Sequence, residues 1–198
     1  MKTRILVALA AFAAASCTTN QRNSALSITK VVVGSLSGST CTLSATADET
    51  DFPTFNPTET LAAIAAGTPT GNGLAGFVVS NNLSNTANLN TVLRTNTNTF
   101  TPHQAVVAYQ VVGGASLPEQ IIPVSSGTVL NGQTPVAVPL FSPIAIVNAL
   151  AAFATPQFVR TTTRIEGTLD DGTTVSTSEH DFVVQVCNTA GCPETTCF

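Results

Sequence analysis

Charged residues are scarce in this chain of 198 residues, which has 7 Lys and Arg against 11 Asp and Glu. The net charge of −4 provides no basic surface for a phosphate backbone, so nucleic acid is not an expected partner. Intrinsic disorder needs low hydrophobicity with high net charge, whereas 43% of this chain is hydrophobic and only 9% is charged. The length suits a single domain with a core of its own.

Large aromatic residues are also few, with no Trp and one Tyr. Exposed Trp and Tyr side chains are the usual platforms for sugars, so their scarcity disfavours carbohydrate binding. The absence of Trp also removes the core tryptophan of antibody domains. In contrast, 32 residues are Thr. Threonine is β-branched and favours half-buried strands, so the composition indicates β-structure.

Residues for catalysis are sparse. His103 and His180 are the two histidines, and the G-x-S-x-G motif of many serine hydrolases is missing. His180 stands between Glu179 and Asp181 on a predicted strand, where adjacent side chains point to opposite faces. We expect a solvated strand face on which Arg164 pairs with Glu179 or Asp181. We therefore predict no catalytic residue, no cofactor and no enzyme activity.

Acidic residues in two segments leave calcium binding as an alternative. Asp48, Glu49 and Asp51 lie in one segment, and Asp170 and Asp171 lie in another. Neither segment has the ligand spacing of an EF-hand, and acidic residues in loops are normally solvated. We predict no metal site.

The first seventeen residues have the layout of an export signal. Lys2 and Arg4 precede an apolar run from Ile5 to Ala15, which is too short to cross a bilayer as a helix. Small residues then lead directly to Cys17. The segment resembles the signal peptide of bacterial, Gram-negative lipoproteins, although Ala14 stands where that family usually has Leu.

The resemblance implies a division of the chain and a location. Residues 1–16 are the signal peptide, residues 17–25 are the lipidated cysteine with a flexible tether, and residues 26–198 form one domain. Acyl chains on Cys17, palmitate among them, would hold the protein on a membrane without a transmembrane helix. Thr18 stands where an Asp is the usual signal for retention in the inner membrane, so we expect the outer membrane of the cell envelope.

Four further cysteines are Cys41, Cys187, Cys192 and Cys197. An even number in an exported chain predicts two disulfides, and three pairings are open. The spacing C-x4-C-x4-C of the last three favours one bridge inside this cluster and one from the cluster to Cys41. A zinc site is the alternative, although zinc motifs favour closer pairs such as C-x2-C.

Alternating apolar residues predict many short strands. Residues 26–33 and 41–47 are expected to pair as a hairpin, and residues 159–169 and 173–187 are expected to form a longer one. The alternation changes phase in the last strand, which predicts a β-bulge between Ser176 and Asp181. Further strands are predicted at residues 77–79, 104–112, 121–124, 128–130 and 136–140.

Two segments have the composition of helices. These are residues 58–66 and residues 142–153, where Ser142 is the expected N-cap and Pro143 the expected first-turn residue. Together with the strands, they predict an all-β fold: an immunoglobulin-like β-sandwich with one or two short helices and a disulfide-linked C-terminus.

These observations favour a membrane-anchored envelope lipoprotein that acts as a non-catalytic structural or protein-interaction module. The membrane, through the anchor at Cys17, and another envelope protein are the candidate partners. The alternative is a carrier of a small apolar ligand, in which the stretch from Phe141 to Phe153 lines a cavity. The oligomeric state is left open.

Overall fold

The computed structural model describes residues 25–37, 40–50, 52–67, 73–83, 99–124, 127–130, 132–153, 156–188 and 198. These residues are mostly β-structure, as predicted. The strands are β1 (Leu26–Val33), β2 (Ser35–Ser37), β3 (Thr40–Thr42), β4 (Thr54–Phe55), β5 (Leu74–Asn81), β6 (Phe100–Val111), β7 (Ser116–Pro123), β8 (Gly132–Pro139), β9 (Gln157–Leu169), β10 (Thr174–Ser176) and β11 (His180–Val186). The helices are α1 (Pro57–Ala66) and α2 (Ile144–Ala151).

Two sheets form a sandwich-like arrangement. The smaller sheet has the order β1-β5-β8, and the larger sheet has the order β4-β11-β9-β6-β7, with β10 also paired to β9. Neighbouring strands are antiparallel except β4, which runs parallel to β11. The ring centroids of Phe77 in the smaller sheet and Phe182 in the larger sheet are 6.5 Å apart, so the core lies between the two sheets.

The long strand β9 has the predicted alternation. Val159, Thr161, Thr163 and Ile165 are fully buried, while Arg160 between the first two is exposed. The Thr161 hydroxyl donates a hydrogen bond to the Phe182 carbonyl at 3.0 Å, which satisfies this polar group inside the core. The sequence period of two therefore identified the buried face of β9 correctly.

The predicted bulge between Ser176 and Asp181 is confirmed. Ser176 lies opposite Glu166 in β9, whereas His180 lies opposite Thr163. Between these two pairs, the last strand thus contains one residue more than β9. Thr177 bridges the irregularity, because its N–H donates to the Ile165 carbonyl and its hydroxyl accepts from the Ile165 N–H.

The predicted hairpin between residues 26–33 and 41–47 is wrong, because β1 pairs with β5 instead. Seven of the eight residues of β5 are buried, so this strand occupies the middle of the smaller sheet. The small side chains of residues 41–47 offer less apolar surface to a sheet, and most of them are exposed.

The two predicted helices are present, with one correction at their ends. Helix α1 has Asn56 as its N-cap, whose side chain accepts from the N–H groups of Thr58 and Glu59. Helix α2 begins at Ile144, and Pro143 occupies its N-cap position without a side-chain hydrogen bond. The predicted cap by Ser142 is therefore wrong.

The sandwich has two poles, and β1 begins at one of them. At this end, which we call the tether pole, the Leu26 carbonyl accepts a hydrogen bond from the Ser178 N–H at 3.2 Å, and Ala25 accepts one from Asn82. The opposite end, which we call the distal pole, contains Phe55, Phe141 and both helices.

Candidate interaction surface

The predicted lipidation and disulfide residues lie only partly within the described part of the chain. Cys17, Cys192 and Cys197 are outside it. Cys41 is exposed at the end of the β2-β3 hairpin, and Cys187 is buried directly after β11. Both of these cysteines are disulfide-bonded. The pairing of the four cysteines stays a prediction.

The two histidines lie on different strands. His103 Nε2 is 2.9 Å from the Thr168 hydroxyl oxygen at an exposed site. His180 Nε2 is 3.9 Å from Glu49 Oε1, which is beyond hydrogen-bond distance. Hydrolysis of the serine-protease type needs one histidine between a nucleophile and a carboxylate. Within the described residues, neither histidine has both partners.

A metal-binding group is likewise not found where the structure describes the chain. No three His, Cys, Asp or Glu side chains of those residues lie together in a way that could hold an ion. Asp51, which the calcium alternative would use, lies outside the described ranges.

The outer face of the larger sheet is polar toward the tether pole. Arg164 Nε lies 3.0 Å from Glu166 Oε1, and of its two expected partners, Glu179 and Asp181, the second pairs with another arginine. Asp181 lies opposite Thr162 in register and accepts a hydrogen bond from its hydroxyl at 2.6 Å. Arg160 pairs with Asp181 instead, at 3.7 Å.

Within this polar region, the surroundings shift the pKa of Glu166. The Gln104 side-chain amide donates to its carboxylate at 2.8 Å, and this hydrogen bond is the main cause that lowers the pKa of Glu166. Partial burial opposes the shift, and Arg164 adds to it. Both oxygens of the Glu166 carboxylate therefore accept hydrogen bonds, one from Gln104 and one from Arg164.

The same face is apolar toward the distal pole. Phe52, Val112 and Phe158 are 58%, 57% and 44% exposed, and we call these three residues the distal patch. The rings of Phe52 and Phe158 meet edge to face, with centroids 5.9 Å apart. The Val112 N–H donates to the Phe158 carbonyl at 2.8 Å, which joins the third residue to the pair.

The backbone holds Phe52 in an unfavourable conformation. Its φ of 46° lies in the left-handed region, where it is the one described residue other than glycine. A bulky side chain in this region costs about 1–2 kcal/mol. The turn carries the chain between the sheets: the Thr50 N–H bonds to β1 at Val31, and the Pro53 carbonyl accepts from Gln185 of β11.

Exposed apolar residues are concentrated at the distal pole. Of the seven large hydrophobic residues that are exposed in the described ranges, the three of the distal patch and Ile64 and Ile144 lie there. The last two belong to α1 and α2, which contact each other. Ile121 on the edge strand β7 and Leu130 near the tether pole are the other two.

The apolar stretch from Phe141 to Phe153 contributes to the core. Phe141 stacks on Phe55 with ring centroids 4.2 Å apart, and Ile146, Val147 and Leu150 of α2 are buried. The Asn188 side chain donates to the carbonyls of Leu150, Ala151 and Phe153 and so closes the C-terminal end of this helix.

Sequence reasoning did not identify the distal patch. The position of Phe158 could be predicted from the sequence, since the alternation that buries Val159 places Phe158 on the outer face with Arg160. Phe52 lies in the irregular segment before β4, where no period assigns a face. Its contact with Phe158 depends on the turn at Phe52, which is a tertiary feature.

No helix in the described ranges is both long and apolar enough to cross a membrane. Comparison of the chain with protein-family models, with curated proteins and with solved structures gave no match.

Proposed function

We propose that this protein is a lipid-anchored lipoprotein of the cell envelope, in the outer membrane, and that it acts as a non-catalytic protein-interaction module. The distal patch is the observation that carries the proposal. Phe52, Val112 and Phe158 expose adjoining apolar surface beside a polar region of the same sheet. The largest apolar patch on a protein surface is typically a few hundred Å² and is often functional.

The lipid anchor rests on the residues that lead to Cys17. Acylation there would tie the sandwich to a membrane, since two or more acyl chains give stable attachment. Leu26 lies nine positions after Cys17 along the chain, so even an extended tether keeps the tether pole within about 30 Å of the membrane. The distal patch would then lie at the pole of the sandwich opposite the anchor.

The strand order supports an immunoglobulin-like sandwich. We number the seven main strands from one to seven in chain order, as β1, β5, β6, β7, β8, β9 and β11. Strands one, two and five form one sheet, and strands three, four, six and seven belong to the other. Constant-type immunoglobulin domains place the fourth strand with the first, second and fifth. Our proposal is a variant in which the fourth strand has joined the larger sheet. This architecture is common in domains that bind other proteins at cell surfaces.

Two disulfides are part of the proposal. Cys41 and Cys187 both lie toward the distal pole, and both are disulfide-bonded. We propose one bridge within the cluster of Cys187, Cys192 and Cys197 and one from this cluster to Cys41. These bridges would tie the last segment of the chain to the β2-β3 hairpin and would lower the entropy of the unfolded state.

The anchor is tested by the intact mass of the protein purified from its native membrane. We expect a mass of residues 17–198 plus acyl groups, which rises by the hydrogens of two disulfides on reduction. Cys17→Ala should abolish acylation. An unacylated mass that Cys17→Ala does not change would refute the anchor, and free thiols would refute the bridges.

The interaction role is tested on the same detergent-solubilised, full-length protein by size and mass in solution. We expect a particle heavier than one chain that Phe158→Ser dissociates. Ile121→Ser is the matched control, because Ile121 is an exposed apolar residue of the same sheet outside the patch. Equal dissociation by both variants, or a particle of one chain only, would contradict the proposal.

A further inference from the structure

We infer that the distal patch binds a short, extended, apolar segment of its partner, with one aromatic or aliphatic side chain as the anchor. This inference rests on the proposed role as an interaction module and specifies the kind of partner. It follows from the size of the patch, its lack of charge and its place in the fold.

The patch is too small for a stable interface between two globular surfaces. A fully exposed aromatic side chain offers roughly 200 Å², so the three residues at their observed exposures offer on the order of 300 Å². Stable interfaces bury about 800 Å² on each partner. The same area suits one large side chain with the backbone on either side of it, since such side chains bury about 150–250 Å² each.

The surroundings of the patch select an apolar anchor with polar flanks. Arg160, two residues from Phe158 on β9, is the nearest charged residue on this strand, and Asp181 already faces it at 3.7 Å. Gln110 lies opposite Arg160 in register, and Gln185 lies opposite Phe158. These amides can hydrogen-bond to a peptide backbone, whereas a charged group placed on the two rings would lose its hydration without a partner.

The position of the patch favours a protein segment over a lipid surface. Phe158 lies at the start of β9, and the tether joins the sandwich at the other pole, beside Ser178. A chain held by Cys17 therefore keeps its tether pole within reach of the bilayer, while the patch lies at the pole opposite the anchor. Attraction to anionic headgroups also needs several basic residues, and among the described residues of this face only Arg160 and Arg164 are basic, both paired with carboxylates.

The backbone conformation of Phe52 is an independent observation that supports contact with a bound side chain. Asn or Gly would suit a left-handed backbone better than Phe, and the Phe52 ring is too exposed to contribute much to the core. The stability of the sandwich therefore does not account for an aromatic residue at this position. Contact with a bound side chain does.

Photo-crosslinking in the intact envelope tests the inference on the full-length protein. Phe52 and Phe158 are each replaced by the photoreactive residue p-benzoylphenylalanine, which preserves an aromatic ring. Ile121 and Leu130 are replaced in the same way as controls, because both are exposed apolar residues outside the patch. The crosslinked peptides are then identified by mass spectrometry.

We expect adducts from positions 52 and 158 within one contiguous stretch of about ten partner residues, because the two rings are only 5.9 Å apart. Phe158→Ser should lower the yield from position 52 about tenfold, since truncation of a central anchor has effects of this size. Adducts to a second copy of this chain, or to separate segments of a folded partner, would overturn the inference but keep the interaction module. Adducts to lipid alone, or yields no higher than at the controls, would overturn both.

Discussion

Phe52 and Phe55 lie three residues apart in the same segment, but one is exposed and the other is buried. Phe55 is fully buried, stacks on Phe141 and meets Phe198 edge to face at 6.5 Å. Phe52 makes a similar edge-to-face contact with Phe158, yet more than half of its side chain is exposed. The same edge-to-face contact therefore stabilises the core at Phe55, whereas at Phe52 it leaves apolar surface exposed in the distal patch.

The backbone between these two residues explains the difference. At Phe55, pairing with Val186 of β11 directs the side chain into the core. At Phe52, the left-handed turn places the side chain outside the sheet, over Phe158. The following predictions separate the aromatic core from the distal patch, beginning with the largest expected effect.

Removal of the ring of Phe141 should destabilise the fold most. Phe141→Ala deletes the partner of Phe55, Tyr109 and Phe198 and leaves a cavity, so we expect the free energy of unfolding to fall by about 3–5 kcal/mol. Urea denaturation followed by circular dichroism measures it. Phe158→Ala is the control and should cost at most about 1 kcal/mol, because its ring is half exposed. Similar losses for both would erase the distinction between core and patch.

A methyl group placed against the ring of Phe141 should have the next largest effect. Gly73 has φ 64°, and a Cβ there would overlap the Phe141 side chain. Gly73→Ala combines backbone strain with overpacking, so we expect a loss of about 2–4 kcal/mol.

Gly172→Ala is the matched control for the backbone component. Gly172 has φ 82° in the turn between β9 and β10, and a Cβ there would meet open space. Its loss should be about 1–2 kcal/mol, from strain alone. A loss at Gly172 as large as that at Gly73 would show that packing on Phe141 contributes nothing.

The next prediction concerns the Tyr109 hydroxyl, which is a polar group inside the aromatic core. Its hydroxyl donates to the Leu140 carbonyl, and burial raises its pKa above the ordinary value of about 10. Tyr109→Phe should cost about 1 kcal/mol at neutral pH. Because the folded pKa is raised, the buried phenol contributes its full stability below about pH 10 and loses it as the pH rises toward the folded pKa.

The difference in unfolding free energy between wild type and Tyr109→Phe should therefore shrink above about pH 10. Tyr109 is the single tyrosine of the chain, so no other phenol contributes to this difference. A constant difference across this range would contradict the buried, protonated hydroxyl.

The smallest effect on stability is expected at Phe52. Phe52→Asn loses the ring contact with Phe158 but relieves the left-handed strain, since Asn tolerates this conformation. We expect the free energy of unfolding to stay within about 0.5 kcal/mol of wild type. Crosslinking from position 158 should nevertheless fall markedly in this variant. A loss of stability comparable to that of Phe141→Ala would make Phe52 a core residue and remove the argument for a binding site.

Part of this fold was predictable because local patterns encode it. The period of two in β9 identified its buried face, and the phase change between Val175 and Phe182 located the extra residue before His180. Asn56 and Gly67 bound α1 through hydrogen bonds and a left-handed cap that depend on neighbouring residues alone. The pairing of β1 was missed, because periodicity assigns a face to a strand and carries no information on which strand lies beside it.

By itself the sequence determined an all-β chain, the buried face of its clearest strands, and the residues that would carry an anchor and disulfides. Each of these depends on composition or on residues close together along the chain. Only the tertiary structure decided that β5 separates β1 from β8, and that Phe52 meets Phe158, which lies 106 positions further along the sequence. Such contacts depend on how strands pack, and strand packing is settled by the total apolar surface that the whole chain can bury.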